Sequence, residues 1–252
     1  MQRNNAWRIE NGNGWIRRQG PIRIRTQADV ELAWDALKAE EAILEEWIEY
    51  DFEFSIVAAR NSQGELDAYH SIRNEHQNNI LDVSISPSGL PSEVNEHATE
   101  LTFKVMEELG AVGILTIEFF YCDGKVLVNE IAPRPHNSGH LTIEGHVTSQ
   151  FEQHVRAVCG LKLGSSEQIK PAAMANLLGN VWSDGEPRWH EALGLPTTKL
   201  HLYGKEGPRP NRKMGHITAT AEETQLAYDQ VVAARGKLTA HSDVAKDAPS
   251  GV

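Results

Sequence analysis

"GILTIEFFYCDGKVLVNEIAPRPHNSGH", residues 113–140, decides the fold, because two apolar runs of strand composition meet at Asp123-Gly124 and the second ends among polar groups. Asp-Gly between β-branched and aromatic runs predicts a β-hairpin. A strand that only filled a core would end in turn residues. Here Glu130 is followed, within ten positions, by Arg134, His136, Asn137, Ser138 and His140, groups able to hold anions and metals.

The hairpin has two registers. With a two-residue loop, Asp123-Gly124, Cys122 faces Lys125 and Glu118 faces Asn129. With a three-residue loop ending at Lys125, Cys122 faces Val126 and Glu118 lies opposite Glu130. Opposed carboxylates with Cβ atoms roughly 5 Å apart destabilise a sheet unless a cation lies between them. Mg²⁺ suits the second register, since it takes one or two carboxylates and completes its shell with water and phosphates.

The company of Glu130 suggests an anion site. Arg134 offers a bidentate fork, His136 and His140 exchange protons near neutrality, and Asn137 and Ser138 add neutral hydrogen bonds. Farther on, "YGKEGPRPNRKMGH" gathers Lys205, Arg209, Arg212 and Lys213 in a Pro- and Gly-rich loop. A basic loop in an otherwise acidic chain suits a phosphate.

Around these motifs, "TQADVELAWDALKAEE" places Val30, Ala33, Trp34 and Leu37 at helical spacing behind Thr26 as N-cap. "AILEEWIEYDFEFSIVAAR", from Ala42, predicts two strands broken near Tyr50 and Asp51. "SEVNEHATELTFKVMEELG" predicts a helix with Val94, Ala98, Leu101, Val105 and Leu109 on one face and Gly110 closing it. A further helix is expected from Ser149 to Val158, and short strands and loops from Ala172 to Ile217.

The chain has 252 residues, 40% of them apolar, enough to bury a substantial core. A formal charge of -11 argues against a nucleic-acid or acidic-membrane binder. Two cysteines, Cys122 and Cys159, form neither a disulfide framework nor a zinc spacing, which fits a reducing cytoplasm. No apolar run approaches the roughly 20 residues that span a bilayer, and the opening residues lack a signal-peptide core.

"NEIAPRPHNSGH", with "SQFEQHVRAVCGL" from Ser149 and "HLYGKEGPRPNRKMGHI" from His201, closely resembles the N5-carboxyaminoimidazole ribonucleotide synthetases, ATP-grasp enzymes of purine biosynthesis. The resemblance covers roughly residues 21 to 230. It implies an α+β fold, a partial ATP-grasp core with a small C-terminal β-rich domain and without the family's N-terminal α/β domain. The expected parts are an aberrant segment 1–20, small subdomain 21–62, large subdomain 63–168, C-terminal domain 169–236 and tail 237–252.

The resemblance also implies roles. Glu45, Glu46, Trp47 and Ile48 match the hinge that holds adenine and ribose, and Glu53, His76 and Asn129 fall at nucleotide positions. Glu118 and Glu130 match the magnesium carboxylates, with Glu130 also beside the nucleotide, which supports the three-residue loop. Arg134, His136 and Asn137 match residues that bind the ribonucleotide, and Lys205 and Arg212 those that hold its phosphate. Arg134 and His136 are the expected catalytic pair. The implied activity is ATP- and bicarbonate-dependent carboxylation of 5-aminoimidazole ribonucleotide with Mg²⁺, in a cytoplasmic enzyme that the resemblance makes a homodimer. The rival readings are another ATP-grasp ligase and an inactive remnant that binds nucleotide or a partner subunit.

One stretch departs from the family. Where members carry a GYDGKG phosphate loop, this chain reads "GWIRRQGP", without the loop's Tyr, Asp and Lys, so catalysis is expected to be impaired. One codon set for Gly14–Gly20, read one base later, spells GGYDGKG. Residues 1 to about 20 are therefore expected to be translated out of frame and to fit the core poorly.

Overall fold

The computed structural model describes residues 7–11, 22–38 and 40–239. They divide into two compact units, Met1–Asp51 and Phe52–Val252. In the first, β1 (Trp7–Asn11) lies between β2 (Ile22–Ile24) and β3 (Ala42–Glu46) in an antiparallel sheet. Helix α1 (Gln27–Leu37) buries Ala33 and Leu37 with Ile24, while Val30 and Trp34, expected on the same face, remain exposed. Asp29 fixes its start by accepting hydrogen bonds from the backbone N–H of Arg25 and Thr26, both at 2.8 Å.

The pairing of β1 departs from the expectation for residues 1–20. Ladder bonds use backbone groups, which any non-proline sequence carries, so Trp7–Asn11 pairs on both sides. The rest of that segment lies outside the described residues.

The second unit is built on an antiparallel sheet of nine strands among the described residues. They are β4 (Phe52–Arg60), β5 (Leu66–Ala68), β6 (Ile72–Gln77), β7 (Ile80–Ser86), β8 (Gly113–Cys122), β9 (Lys125–Ala132), β10 (Ala172–Leu178), β11 (Thr198–Leu202) and β12 (Lys213–Thr220). Their order is β11-β12-β10-β7-β6-β4-β8-β9, with β5 paired to β4. The helices are α2 (Ser92–Glu108), α3 (Thr142–Gly145), α4 (Gln150–Val158), α5 (Trp189–Ala192) and α6 (Thr224–Thr239), and a 3₁₀ turn spans Asn137–Leu141.

Central strands explain their near-continuous apolar sequences by burial on both faces. Phe54, Ile56 and Ala58 of β4 pack with Leu115, Ile117 and Phe119 against α2, while Val57 and Ala59 belong to a second cluster with Tyr69 and Ile72. The buried line of α2 runs through Ala98, Thr102 and Met106, so Leu109, expected on that face, is exposed. Thr102 is accommodated because its hydroxyl donates to the Ala98 carbonyl at 2.8 Å. Helix α6, which sequence periodicity did not announce, packs Ala227, Val231, Ala234 and Leu238 against Ala173, Ala175 and Leu177 of β10. It continues through Lys237 to Thr239, where a tail had been expected to begin, and residues 240–252 lie outside the described residues.

The hairpin corrects one expectation and meets another. Its loop is two residues: Cys122 faces Lys125, with Asp123 at φ 48° and Gly124 at φ 77°, both in the left-handed region a tight hairpin turn requires. Yet Glu118 still lies opposite Glu130, because a register shift between Glu118 and Phe119 leaves Asn129 as an extra residue in β9. This bulge, not a longer loop, brings the carboxylates face to face.

Candidate active site

The bulge turns two consecutive residues of β9 to use. Asn129 donates from Nδ2 to Glu53 Oε1 at 2.9 Å, while Glu130 pairs across from Glu118. Glu118 faces Ser55 in β4, so Glu53, two residues along, shares the face of Glu118. His76 of β6 completes the group, its Nδ1 lying 3.0 Å from Glu53 Oε2. Phe120 and its cross-strand partner Leu127 border the cluster with an apolar surface.

The segment after β9 crosses back over this face. Gln150, at the start of α4, accepts from the His136 backbone N–H at 2.9 Å, donates to the His136 carbonyl at 2.7 Å, and lies 2.9 Å from His140 Nδ1. A Cβ on Gly139 would stand 2.7 Å from the Gln150 side chain, so glycine is needed for this clamp. So held, His136 Nε2 reaches Glu118 Oε1 at 3.2 Å. Asn137 and Asn176 exchange amide hydrogen bonds at 3.1 and 2.6 Å.

Burial, then the charges of Glu53 and Glu130, push the Glu118 carboxyl up to about 7. Burial, then Lys213 and Arg134, pushes His136 down to about 3. Both shifts oppose ionisation, so this contact is a hydrogen bond rather than an ion pair. For His76, burial works against the charged form, but the hydrogen bond and charge of Glu53, with Glu118, prevail and raise its pKa. Lys213 is lowered mainly by burial, against the pull of Glu118 and Glu130. Its field is felt by Glu118, His136, His140 and His76, which places this lysine among the site's groups. It stands in the basic loop of the sequence but was not singled out, and its position at the start of β12 is the signal that separates it from the solvated cations.

The carboxylate grouping fits a divalent cation. Glu118 is only 7% exposed and shares its surroundings with two more carboxylates, a grouping that favours a bound cation over a lone buried charge. Among the described residues no set of three or more His, Cys, Asp or Glu side chains is arranged to hold a metal. The opposed pair Glu118 and Glu130 offers two carboxylates, the number taken by a hard cation such as Mg²⁺ that fills the rest of its shell with water and phosphate oxygens.

Lys205 Nζ donates to the Lys213 carbonyl at 2.7 Å and sits 5.2 Å from the Tyr203 ring centre. Burial, then the Arg212 charge, lowers its pKa, and Arg212 braces the loop through the Glu206 and Gly207 carbonyls at 2.7 and 3.1 Å. Arg134 donates to the Pro135 carbonyl at 3.1 Å. The hinge residues belong to the first unit: Glu45 and Glu46 end β3, and Trp47 lies under the Arg23 guanidinium at 4.3 Å while donating to Glu49 at 3.1 Å. Ile48 follows in the same segment.

Residues 17–151 match the ATP-grasp domain, and residues 172–230 the phosphoribosylaminoimidazole carboxylase C-terminal domain. The N5-carboxyaminoimidazole ribonucleotide synthase of Bacillus subtilis is 43% identical over 205 residues, covering 79% of this chain and 52% of that protein. The crystal structure of N5-carboxyaminoimidazole ribonucleotide synthetase from Thermus thermophilus superposes with a TM-score of 0.82 at 36% identity, covering 94% of this chain and 63% of the other. The synthase of Aspergillus clavatus, solved with ADP and 5-aminoimidazole ribonucleotide, gives 0.79 at 30% identity, covering 89% of this chain and 60% of the other. The chain thus spans about half the length of the B. subtilis relative. From these matches, the chain belongs to the ATP-grasp family, and the relatives it resembles are N5-carboxyaminoimidazole ribonucleotide synthases.

Proposed function

We propose that this chain carries the nucleotide and ribonucleotide sites of an ATP- and bicarbonate-dependent carboxylation of 5-aminoimidazole ribonucleotide. The observation that carries this reading is the buried, bulge-enforced pairing of Glu118 with Glu130 beside Lys213 and the Arg134–His136 segment. Glu118 and Glu130 would hold Mg²⁺, which when bound neutralises charge on the phosphates during transfer. Glu53, His76 and Asn129 would face the nucleotide.

A bicarbonate oxygen attacks the γ-phosphorus of ATP, the bond to the bridging oxygen breaks, and ADP leaves. The exocyclic amine of the ribonucleotide then attacks the activated carbon, and phosphate departs with the bicarbonate oxygen. Arg134 and Lys213 would stabilise the anionic carboxyl species, and His136 would orient it. Asn137 contacts the ribonucleotide, and Lys205 and Arg212 hold its phosphate. Since carboxyphosphate is labile, the segment pinned by Gln150 has a second task in excluding water.

A second reading, a nucleotide-binding chain without turnover, is favoured by one observation, the absence of the phosphate loop's Tyr, Asp and Lys from "GWIRRQGP". ADP release assayed with each substrate omitted in turn separates the two. Carboxylation requires release that depends on both bicarbonate and the aminoimidazole ribonucleotide. Saturable MgADP binding without such release selects the second reading.

A further inference from the structure

A line of buried polar side chains runs from the middle of the sheet to the carboxylate cluster, although none of its inner members reaches the reacting groups. Ser84, Asn74 and Ser55 stand on the neighbouring strands β7, β6 and β4, and Ser138 lies in the 3₁₀ turn. None of the four is more than 4% exposed. Ser84 Oγ donates to Asn74 Oδ1 at 3.0 Å, Asn74 Nδ2 donates to Ser55 Oγ at 2.8 Å, and Ser55 Oγ donates to Ser138 Oγ at 2.7 Å. Ser138 Oγ then lies 2.8 Å from His136 Nδ1.

Counting protons gives this line a direction. An amide nitrogen can only donate, so the bond between Asn74 and Ser55 runs one way. In this orientation the Ser84 hydroxyl donates to Oδ1 and Nδ2 faces Ser55, and the donor that can only donate stands at the other end of the line, the Ser138 backbone N–H. Ser55 spends its single proton on Ser138, and Ser138 keeps its own for His136 Nδ1. The Ser138 backbone N–H, 3.3 Å from the same ring nitrogen, adds a second donor. With Nδ1 accepting, the proton of the neutral ring belongs on Nε2, the atom that faces Glu118 Oε1 at 3.2 Å.

We propose that Ser84, Asn74, Ser55 and Ser138 are positioning residues that hold His136 in its Nε2–H tautomer, so that it meets the reacting groups as a hydrogen-bond donor and not as a proton acceptor. The consequence for catalysis rests on the carboxylation reading above: Nε2–H holds an oxygen of the carboxyl species, and a general-base role at Nε2 is closed. The tautomer itself rests on the buried line, with the Ser138 backbone N–H and Glu118 on either side of the ring, and is measured without substrates, so failure of the carboxylation assay leaves it standing.

The test is long-range proton–nitrogen NMR on the whole chain carrying nitrogen-labelled histidine, with the His136 ring signals assigned by their loss in His136→Gln. The wild-type chain should show Nδ1 as the unprotonated and Nε2 as the protonated nitrogen. In Asn74→Asp, a nearly isosteric change, the donor into Ser55 becomes an acceptor. Ser55 then donates to the new carboxylate and Ser138 to Ser55, so Nδ1 keeps only the Ser138 backbone N–H as donor and the two signals should move toward each other. Ser138→Ala, which decides the matter should Asn74→Asp fail to fold, removes the side-chain donor, leaves the backbone N–H alone on Nδ1 and should likewise move the two signals toward each other. A protonated Nδ1 in the wild type, or a wild-type pattern in a folded Ser138→Ala or Asn74→Asp chain, overturns the proposal.

Discussion

Acid should unfold this protein earlier than its carboxylates alone require, because four histidines are held in their neutral form, His146 and His216 buried and His136 and His140 half-buried. His136 is pushed down to about 3, His140 and His146 to about 4, and His216 to about 2, in each case chiefly by burial. A group whose folded pKa is depressed leaves stability intact above its unfolded value, near 6.5, and erodes it as pH falls from there toward the folded value. At about pH 5 each contributes a loss of about 2 kcal/mol, so the four together lose about 8 kcal/mol. Glu118 acts oppositely: raised from 4.5 to about 7, it takes up a proton in the folded state first and returns about 2–3 kcal/mol over the same range. His76, also raised, adds in the sense of Glu118, favouring the folded state as pH falls. The net loss between about pH 8 and pH 5 is about 5 kcal/mol, against a total stability of about 5–15 kcal/mol for a typical domain. Urea unfolding followed by circular dichroism at several pH values measures this directly. His146→Phe sharpens the test. Neither ring nitrogen of His146 has a hydrogen-bond partner among the described residues, and its edge-on contact with Tyr69, 5.1 Å between ring centres, suits a phenyl ring. That variant should equal or exceed the wild type at about pH 8 and lose about 2 kcal/mol less on acidification. Stability that stays flat from pH 8 to pH 5, or an unchanged slope in folded His146→Phe, would refute the reasoning.

Three further outcomes are expected. Glu130→Ala should remove the Mg²⁺ dependence of ADP binding in calorimetry, and affinity that still rises with Mg²⁺ would exclude the carboxylate pair as the cation's seat. Arg212→Ala should weaken binding of the aminoimidazole ribonucleotide by roughly 10-fold or more while leaving ADP unchanged, as loss of a charge-assisted phosphate contact requires. Equal loss for both ligands would show that the basic loop serves the other phosphate. Gly179→Ala should disturb the same loop without touching a charge, since its Cβ would stand 2.0 Å from the Arg209 carbonyl oxygen. A stability loss of about 1–3 kcal/mol with weakened ribonucleotide binding is expected, and a neutral effect on both would contradict the loop's placement.

The site was legible in the sequence where its residues are consecutive. Glu130 to His140 announced itself because so many chemically capable groups follow one strand, and the structure folds that segment over the carboxylates. The opposition of Glu118 and Glu130 was legible only as one of two registers. Counting from the turn could not reveal it, since the shift arises from the bulge at Asn129, and an inserted residue leaves no periodic mark. Ser55, Asn74 and Ser84 escaped notice for another reason: they are small polar residues with no distinguishing neighbours in sequence, Asn74 lying inside the polar run of β6, and only pairing of three strands brings them together. Helix α6 was missed because Ala227 and Ala234 supply half of its most buried line, and alanine gives little contrast between faces.

The central claim is that the Glu118–Glu130 cluster serves phosphoryl transfer to bicarbonate, and the fate of one oxygen atom tests it most directly. With MgATP, 5-aminoimidazole ribonucleotide and bicarbonate labelled with heavy oxygen, mass spectrometry of the released phosphate should find one bicarbonate oxygen in each molecule. Phosphate formed with oxygen from solvent alone, at a rate indifferent to the ribonucleotide, would contradict the account.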